Sequence, residues 1–508
     1  MLRKLLSVSG FTLISRLTGL MRDLMTAAVM GAGALADAFF VALRLPNHFR
    51  AIFGEGAFNQ AFVPSVTRLR ETGGPTAAAD FASRVWTLMI VVQAPILVIA
   101  LVGMPWLVTA LAPGFSDEPE KFALAVTLTR ITFPYLFFIT LVTLVSGILN
   151  SVERFAAAAA SPILLNLAMI AALALAGFFP SAGHAAAWGV SVAGLAQLLL
   201  VLADAHAAGV APRLVRPRLD ADMKVFLKAL APAVIGSAGV QIAVFADTII
   251  ASLLPTGAVA AIYYADRLYQ LPVGVIAIAA GTVLLPEMSR RISAGDTVAA
   301  HRAQNRAFIF SLALSAPCVV AFFLLPAPIM AAIFGRGAFT AADAEASGAV
   351  LAAYAVGLPA IVLISSVVAS FRSRLDTATP AIVSLSVIAV NVGLKIVFAR
   401  HLGASGLALA TAIAAWANVG ILYGIALKRG WTAPSTELLR AILATGIACA
   451  ALAVATLATH RMAAPWTATL PRWNAEALVA ADALVGGIVY GAAMLIAFRA
   501  LRLSLRRI

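Results

Sequence analysis

SVSGFTLISRLTGLMRDLMTAAVMGAGALADAFFVALRLPNHFRAIFGEGAF, residues 7–58, holds two apolar segments of membrane-spanning length. It also carries Arg16, Arg22, Asp23, Asp37, Arg44, Arg50 and Glu55. Each such charge at the centre of a bilayer costs about 2.5–3.5 kcal/mol on insertion scales. A span tolerates them where they face protein, water or a charged substrate. This stretch therefore predicts an interior basic chamber.

The rest of the chain sets that chamber in a membrane. Of 508 residues, 62% are apolar and 11% charged, and the mean hydropathy is +0.98. At about 20 apolar residues per span the chain can thread a bilayer a dozen times or more. No connecting segment is long enough for a separate soluble domain. The net charge of +14 does not point to nucleic acid, which requires a basic face on a soluble module. Cys318 and Cys449 fall inside spans without metal-ligand spacing. The N-terminus imitates a signal peptide, but Arg16 and Arg22 interrupt its apolar run, and it reads as the first span.

Apolar windows predict fourteen helices, near 6–29, 34–57, 82–111, 122–149, 159–179, 184–206, 228–253, 259–288, 305–333, 344–370, 380–399, 404–427, 437–459 and 477–500. Their spacing excludes an outer-membrane barrel. With the N-terminus inside, the inner segments hold 23 Lys and Arg against 5 in the outer ones, which places both termini in the cytoplasm. Prolines recur at a nearly constant offset: Pro95 and Pro317, Pro105 and Pro328, Pro134 and Pro359. An even number of helices per unit makes the halves parallel repeats. The fold class is thus an all-α polytopic membrane protein: two parallel six-helix lobes, residues 1–210 and 211–430, then two further helices and a basic tail in 431–508.

At 100° per residue, Asp37, Arg44, His48 and Glu55 fall on one stripe of the second helix. In the first helix Arg16 and Asp23 share a face, while Arg22 projects about 120° away. The eighth helix adds Asp266 and Arg267, the seventh Asp247 and Gln241. Structural ion pairing and snorkelling are the bland alternative. A surplus of arginine favours an anion, because guanidinium forks suit phosphate oxygens and stay charged when buried. Asn166 reads as interhelical glue. GxxxxGK[ST], HExxH and CxxC are absent, and the outer loops are too short for an enzyme's acid–base cluster. The last two helices are rich in Ala and Gly, which permits tight pairing. They read either as a packing pair or as a groove for a lipid tail.

The stretch SRLTGLMRD, ADAFFVALRLPNHFR and IFGEGAF resembles the N-terminal signature of the MurJ/MviN lipid II flippases. YYADRLYQLPVGVIAIAAGTVLLPEMSR is similar to their eighth-helix motif, and APGF, ITFPYLFF, GILNS and FRSRLDTATP follow in family order. The resemblance implies the multidrug/oligosaccharidyl-lipid/polysaccharide exporter fold in a bacterial inner membrane. The substrate it implies is lipid II, the undecaprenyl-diphosphate-linked disaccharide-pentapeptide, moved from the inner to the outer leaflet by alternating access. Matching motifs make Arg16, Arg22, Arg50 and Arg267 the diphosphate and headgroup ligands, with Asp37, Arg44, Glu55 and Asp266 as modulating or gate residues. Some members bind a sodium ion through an acid in the seventh helix, where Asp247 stands. No other cofactor, no catalytic residue and no nucleic acid is implied, and membrane lipids are the remaining partners. A cation-coupled drug exporter or another polysaccharide-lipid flippase of the same fold is the alternative.

Overall fold

A computed structural model describes residues 2–50, 57–470 and 473–503. The chain divides into two compact units, Met1–Val259 and Ala260–Ile508. The described residues form helices joined by short turns, without strands. In the first unit these are α1 (Leu2–Met30), α2 (Ala34–Arg50), α3 (Ala57–Val102), α4 (Met104–Leu111), α5 (Pro119–Thr132), α6 (Pro134–Ser151), α7 (Ala156–Ala174), α8 (Ala182–Ala207) and α9 (Ala221–Ser252). The second unit comprises α10 (Ala258–Ser293, which begins just before the boundary), α11 (Thr297–Leu324), α12 (Pro326–Phe334), α13 (Ala341–Arg372), α14 (Ala378–Lys428), α15 (Thr436–Thr467) and α16 (Asn474–Ala500). Nine of the helical stretches among the described residues are long and apolar enough to cross a membrane. The arrangement is that of an all-α polytopic membrane protein and is consistent with fourteen spans.

The breaks in these helices follow proline and glycine. Proline lacks an N–H and clashes with the preceding turn, but it suits the first turn of a new helix. The third span accordingly stops at Val102 and restarts at Met104–Pro105. The ninth does the same at Leu324 and Pro326, two residues before the recurring Pro328, whereas Pro95 and Pro317 lie inside α3 and α11. The fourth span restarts at Pro134. Its partner Pro359 instead lies inside the continuous α13, and there the two halves differ. α14 is two spans joined by a hairpin at Gly403, whose φ of 56° and ψ of −135° suit glycine alone. At Gly406 a Cβ would collide with the Phe398 carbonyl, so the turn also needs its second glycine.

Residues 57–73, which the sequence leaves as a charged connection, are helical up to the break at Gly74 (φ 78°). An aromatic cluster explains this. Phe58 and Phe62 stack at 5.0 Å one turn apart, and the edge of Phe226 meets Phe58, Phe62 and Phe81 at 5.8, 6.1 and 5.9 Å. The segment thus buries an apolar face, while Arg68 reaches Asp222 at 3.1 Å. Residues 208–220 run along α3, where Ser83 and Thr87 accept from the Arg213 and Val215 amides at 3.1 and 3.0 Å.

The two final helices share the core of the second unit. Phe308 (α11), Phe371 (α13), Leu422 (α14), Leu438 (α15) and Phe498 (α16) meet in one buried cluster. α15 and α16 approach closely at Gly486, where a Cβ would stand 2.8 Å from Leu452 and 3.0 Å from the Thr456 hydroxyl. One turn away lies a polar pair: His460 Nδ1 meets the buried Asp482 carboxylate at 2.7 Å. An apolar helix holding one acid shows nothing of this partner, because a lone histidine carries no pattern.

Candidate functional site

The first helix separates Arg16 and Arg22 as the helical wheel requires. Arg16 is exposed, and among the described residues it has no hydrogen bond or ion pair. Arg22 is buried. Its Nε and Nη2 donate to Asp23 Oδ1 at 3.0 and 2.7 Å, and its Nη1 donates to Asn166 Oδ1 on α7 at 3.0 Å. The interhelical asparagine expected as glue is therefore bonded directly to a candidate ligand of the headgroup.

Three charged or polar members of the α2 stripe have partners elsewhere in the first unit. Asp37, 1% exposed, accepts from the Gly257 amide at 2.7 Å and faces Lys121 Nζ at 3.2 Å. Lys121 is 4% exposed and also reaches Thr256 Oγ1 at 2.9 Å, Glu118 at 3.3 Å and the Phe115 ring at 4.3 Å. Arg44 Nη1 donates to Thr248 Oγ1 at 3.1 Å, and the His48 ring meets Phe245 edge-on at 4.8 Å. Arg50 ends α2, partly buried. Glu55 lies outside the described residues. Periodicity identifies the stripe but not Lys121, which the sequence counts only as an outer-loop cation. Besides the nearby Glu118 and Phe115, its partners Asp37 and Thr256 stand 84 and 135 positions away, and no local signal marks those two.

In the second unit, Asp266 accepts from Gln270 Nε2 at 3.3 Å, one turn on along α10. The Arg267 guanidinium lies 4.7 Å from the Tyr263 ring, one turn before it. A contact of this kind is a cation–π attraction between the guanidinium and the ring face.

Two features limit what else the first unit binds. A cavity of about 450 Å³ between α3, α6 and α9 is lined by Leu88, Val92, Ile96, Phe137, Leu227 and similar side chains, with Gln93 and Thr140 as its polar residues. Those two bond to each other at 2.5 Å. Lacking any charge, the cavity suits hydrocarbon and not a diphosphate. Asp247 stands partly exposed on α9 beside Thr248, whose hydroxyl takes Arg44. Among the described residues no three His, Cys, Asp or Glu side chains gather to hold a metal.

Glu118, in the turn before α5, is held below the ordinary carboxylate value of 4.5, chiefly by the hydrogen bond from Thr256. A depressed folded value means this clamp contributes fully above about pH 4.5 and is lost as pH falls through the lowered value. Hydrogen exchange at the Thr256 and Gly257 amides is expected to speed up below that pH beyond the intrinsic pH dependence. Glu118→Gln is expected to remove this pH step.

Comparison with known proteins places the chain. The profile of the family described as lipid II flippase MurJ matches residues 26–475. The chain belongs to the MurJ family of lipid II flippases. A probable lipid II flippase MurJ of Rhizobium meliloti is 40% identical over 464 residues, covering 90% of this chain and 86% of the relative. The lipid II flippase MurJ of Burkholderia cenocepacia is 36% identical, covering 86% of each. A solved MurJ structure in an inward closed conformation matches with a TM-score of 0.79 at 25% identity, over 97% of this chain and 99% of that one. An inward-facing multidrug resistance MATE transporter matches at 0.67 with 16% identity, over 84% of this chain and 97% of its own, and shares the fold alone. Among MurJ proteins, then, this one carries Arg16 exposed on α1 and Arg22 tied to Asp23 and Asn166.

Proposed function

We infer that this MurJ-family protein carries lipid II from the inner to the outer leaflet of a bacterial cytoplasmic membrane, with Arg16, Arg22, Arg50 and Arg267 binding the diphosphate and headgroup. The observation that supports this most is Arg16, an exposed arginine midway along a helix on which Arg22, six residues on, is already bonded to an acid. A cation-binding drug exporter would call for acids there. A buried anion without partners is prohibitive in hydrocarbon, and arginine supplies those partners in bidentate geometry. Transport proceeds by alternating access, and binding must weaken in the outward state for lipid II to leave.

Asp37 and Arg44 act through the partners given above, Asp37 through Lys121 and the Gly257 amide, Arg44 through Thr248. Asp266 and Glu55 complete the modulating set. Both termini lie in the cytoplasm, on the bias of Lys and Arg toward the inner segments. Cysteines placed at the two ends of the chain are expected to resist an impermeant thiol reagent applied from outside.

The function is tested by reconstitution into vesicles containing lipid II, with a reagent confined to one leaflet. The expected result is protein-dependent exposure of lipid II and no uptake of cationic drugs. Drug uptake without lipid II exposure would overturn the reading in favour of an exporter.

A further inference from the structure

We propose that Asn166 is a positioning residue for the headgroup: its carboxamide holds the Arg22 guanidinium in place while leaving its positive charge intact. This rests on the reading that Arg22 binds the headgroup.

The hydrogen bonds around Asn166 fix which way its amide points. The side chain is 5% exposed. Its Nδ2 donates to the Ser15 carbonyl at 2.9 Å and to Thr18 Oγ1 at 3.0 Å, and its Oδ1 accepts from Arg22 Nη1 at 3.0 Å. Thr18 spends its own hydroxyl proton on the Ile14 carbonyl at 2.8 Å, so it presents a lone pair to Asn166. A reversed amide would set NH2 against the guanidinium and oxygen against the Ser15 carbonyl. Both amide protons are used, so the orientation has a single solution.

Arg22 needs such a hold. Its acid partner is the next residue in the helix, and neighbours at i,i+1 do not face each other. The guanidinium must bend toward Asp23, which takes Nε and Nη2 on one oxygen. Asn166 secures the remaining nitrogen, Nη1, from a second helix, so the plane is held from both sides. The chemistry of the holder matters. A carboxylate at 166 would add a second negative charge to Arg22 and lose both donors, leaving Ser15 and Thr18 facing an anion. A neutral amide orders the guanidinium without cancelling the charge a diphosphate would meet.

The test is a double-mutant cycle with the full chain in nanodiscs, comparing wild type, Asn166→Ala, Arg22→Ala and the double variant. Dissociation constants are measured for lipid II and for the matching uncharged polyprenol. Asn166→Ala is expected to weaken lipid II binding about tenfold, as for one hydrogen bond to a charged group. It should leave polyprenol binding unchanged and add nothing once Arg22 is alanine. Asn166→Asp, nearly isosteric and able to fill the same space if alanine does not fold, is expected to weaken lipid II binding at least as much. An equal loss with and without Arg22, or an equal loss for polyprenol, would show a merely structural role and overturn the proposal. If Arg22→Ala alone leaves lipid II binding unchanged, the reading of Arg22 fails first, and the role of Asn166 falls with it.

Discussion

Lys121→Met is expected to destabilise the protein by about 3–5 kcal/mol, the range for removing one partner of a buried ion pair. Asp37 is 1% exposed and Lys121 4%, so water cannot take over the lost interaction. The methionine fills most of the space but leaves a buried carboxylate without its ammonium. It also removes the donor to Thr256 and the cation over the Phe115 ring. The effect should appear as a lowered thermal unfolding midpoint in detergent, measured against Lys224→Met, which removes an exposed lysine. Adding Asp37→Asn to Lys121→Met should recover much of the loss. A neutral amide oxygen still accepts from the Gly257 N–H, and no charge is then left buried. If Lys121→Met lowers the midpoint no more than Lys224→Met, the pair contributes nothing and the assignment is wrong.

Gly114→Ala is expected to act on the same end of the first unit by a different route. Gly114 lies in the 3-10 turn Pro113–Asp117, and its amide donates to Ser252 Oγ at 3.3 Å. An added Cβ would collide with the Ser252 carbonyl and stand 2.7 Å from Leu253 Cα. These are backbone atoms at the end of α9, so no rotamer change relieves the clash. Overpacking of this kind costs about 1–3 kcal/mol, and more where the backbone cannot move. The turn would have to lift from α9, and the Ser252 hydrogen bond would break with it. Hydrogen exchange across Leu253 and Leu254 should quicken, and the unfolding midpoint should fall. Unchanged protection there would mean that the two segments do not pack in this way.

Both variants reach a cluster that the sequence contains without displaying. Charge against hydropathy was enough to make α1 and α2 unusual spans, and the 100° rule put Asp37, Arg44 and His48 on one face. The same rule separated Arg16 from Arg22, and the structure keeps them apart, one exposed and one turned to α7. Pro105 and Pro328 fell within two residues of where helices restart after Val102 and Leu324, because proline acts locally, through its own N–H and the turn before it. What stayed hidden were partners distant along the chain: Asn166 for Arg22, Lys121 for Asp37, Thr248 for Arg44, His460 for Asp482. Each is an ordinary residue in an apolar or loop context, and only packing makes it a partner. The helix over 57–73 was hidden for a related reason. Its apolar face is completed by Phe226, from a helix more than 150 residues on.

These contacts divide the polar interior by role. Asp37, Lys121 and Glu118 tie the start of α2 to the turn after α9, whereas Arg22 is bonded to Asn166 and Asp23. Arg16 stands exposed midway along α1, and the Arg267 guanidinium lies over the Tyr263 ring. On the proposed function, recognition of an anionic headgroup is expected to depend most on Arg16 and Arg267, whereas the Asp37–Lys121 pair is expected to serve stability.

The most direct measurement is the rate of lipid II exposure in the outer leaflet of vesicles holding wild type, Arg16→Ala, Arg267→Ala or both, at matched protein incorporation and with unfolding midpoints recorded alongside. Each single variant is expected to slow exposure at least about tenfold, as for loss of a charge-assisted hydrogen bond to phosphate. Their midpoints should stay near wild type, and the double variant should fall to the protein-free rate. Lipid II exposure at the wild-type rate in the double variant would contradict the account.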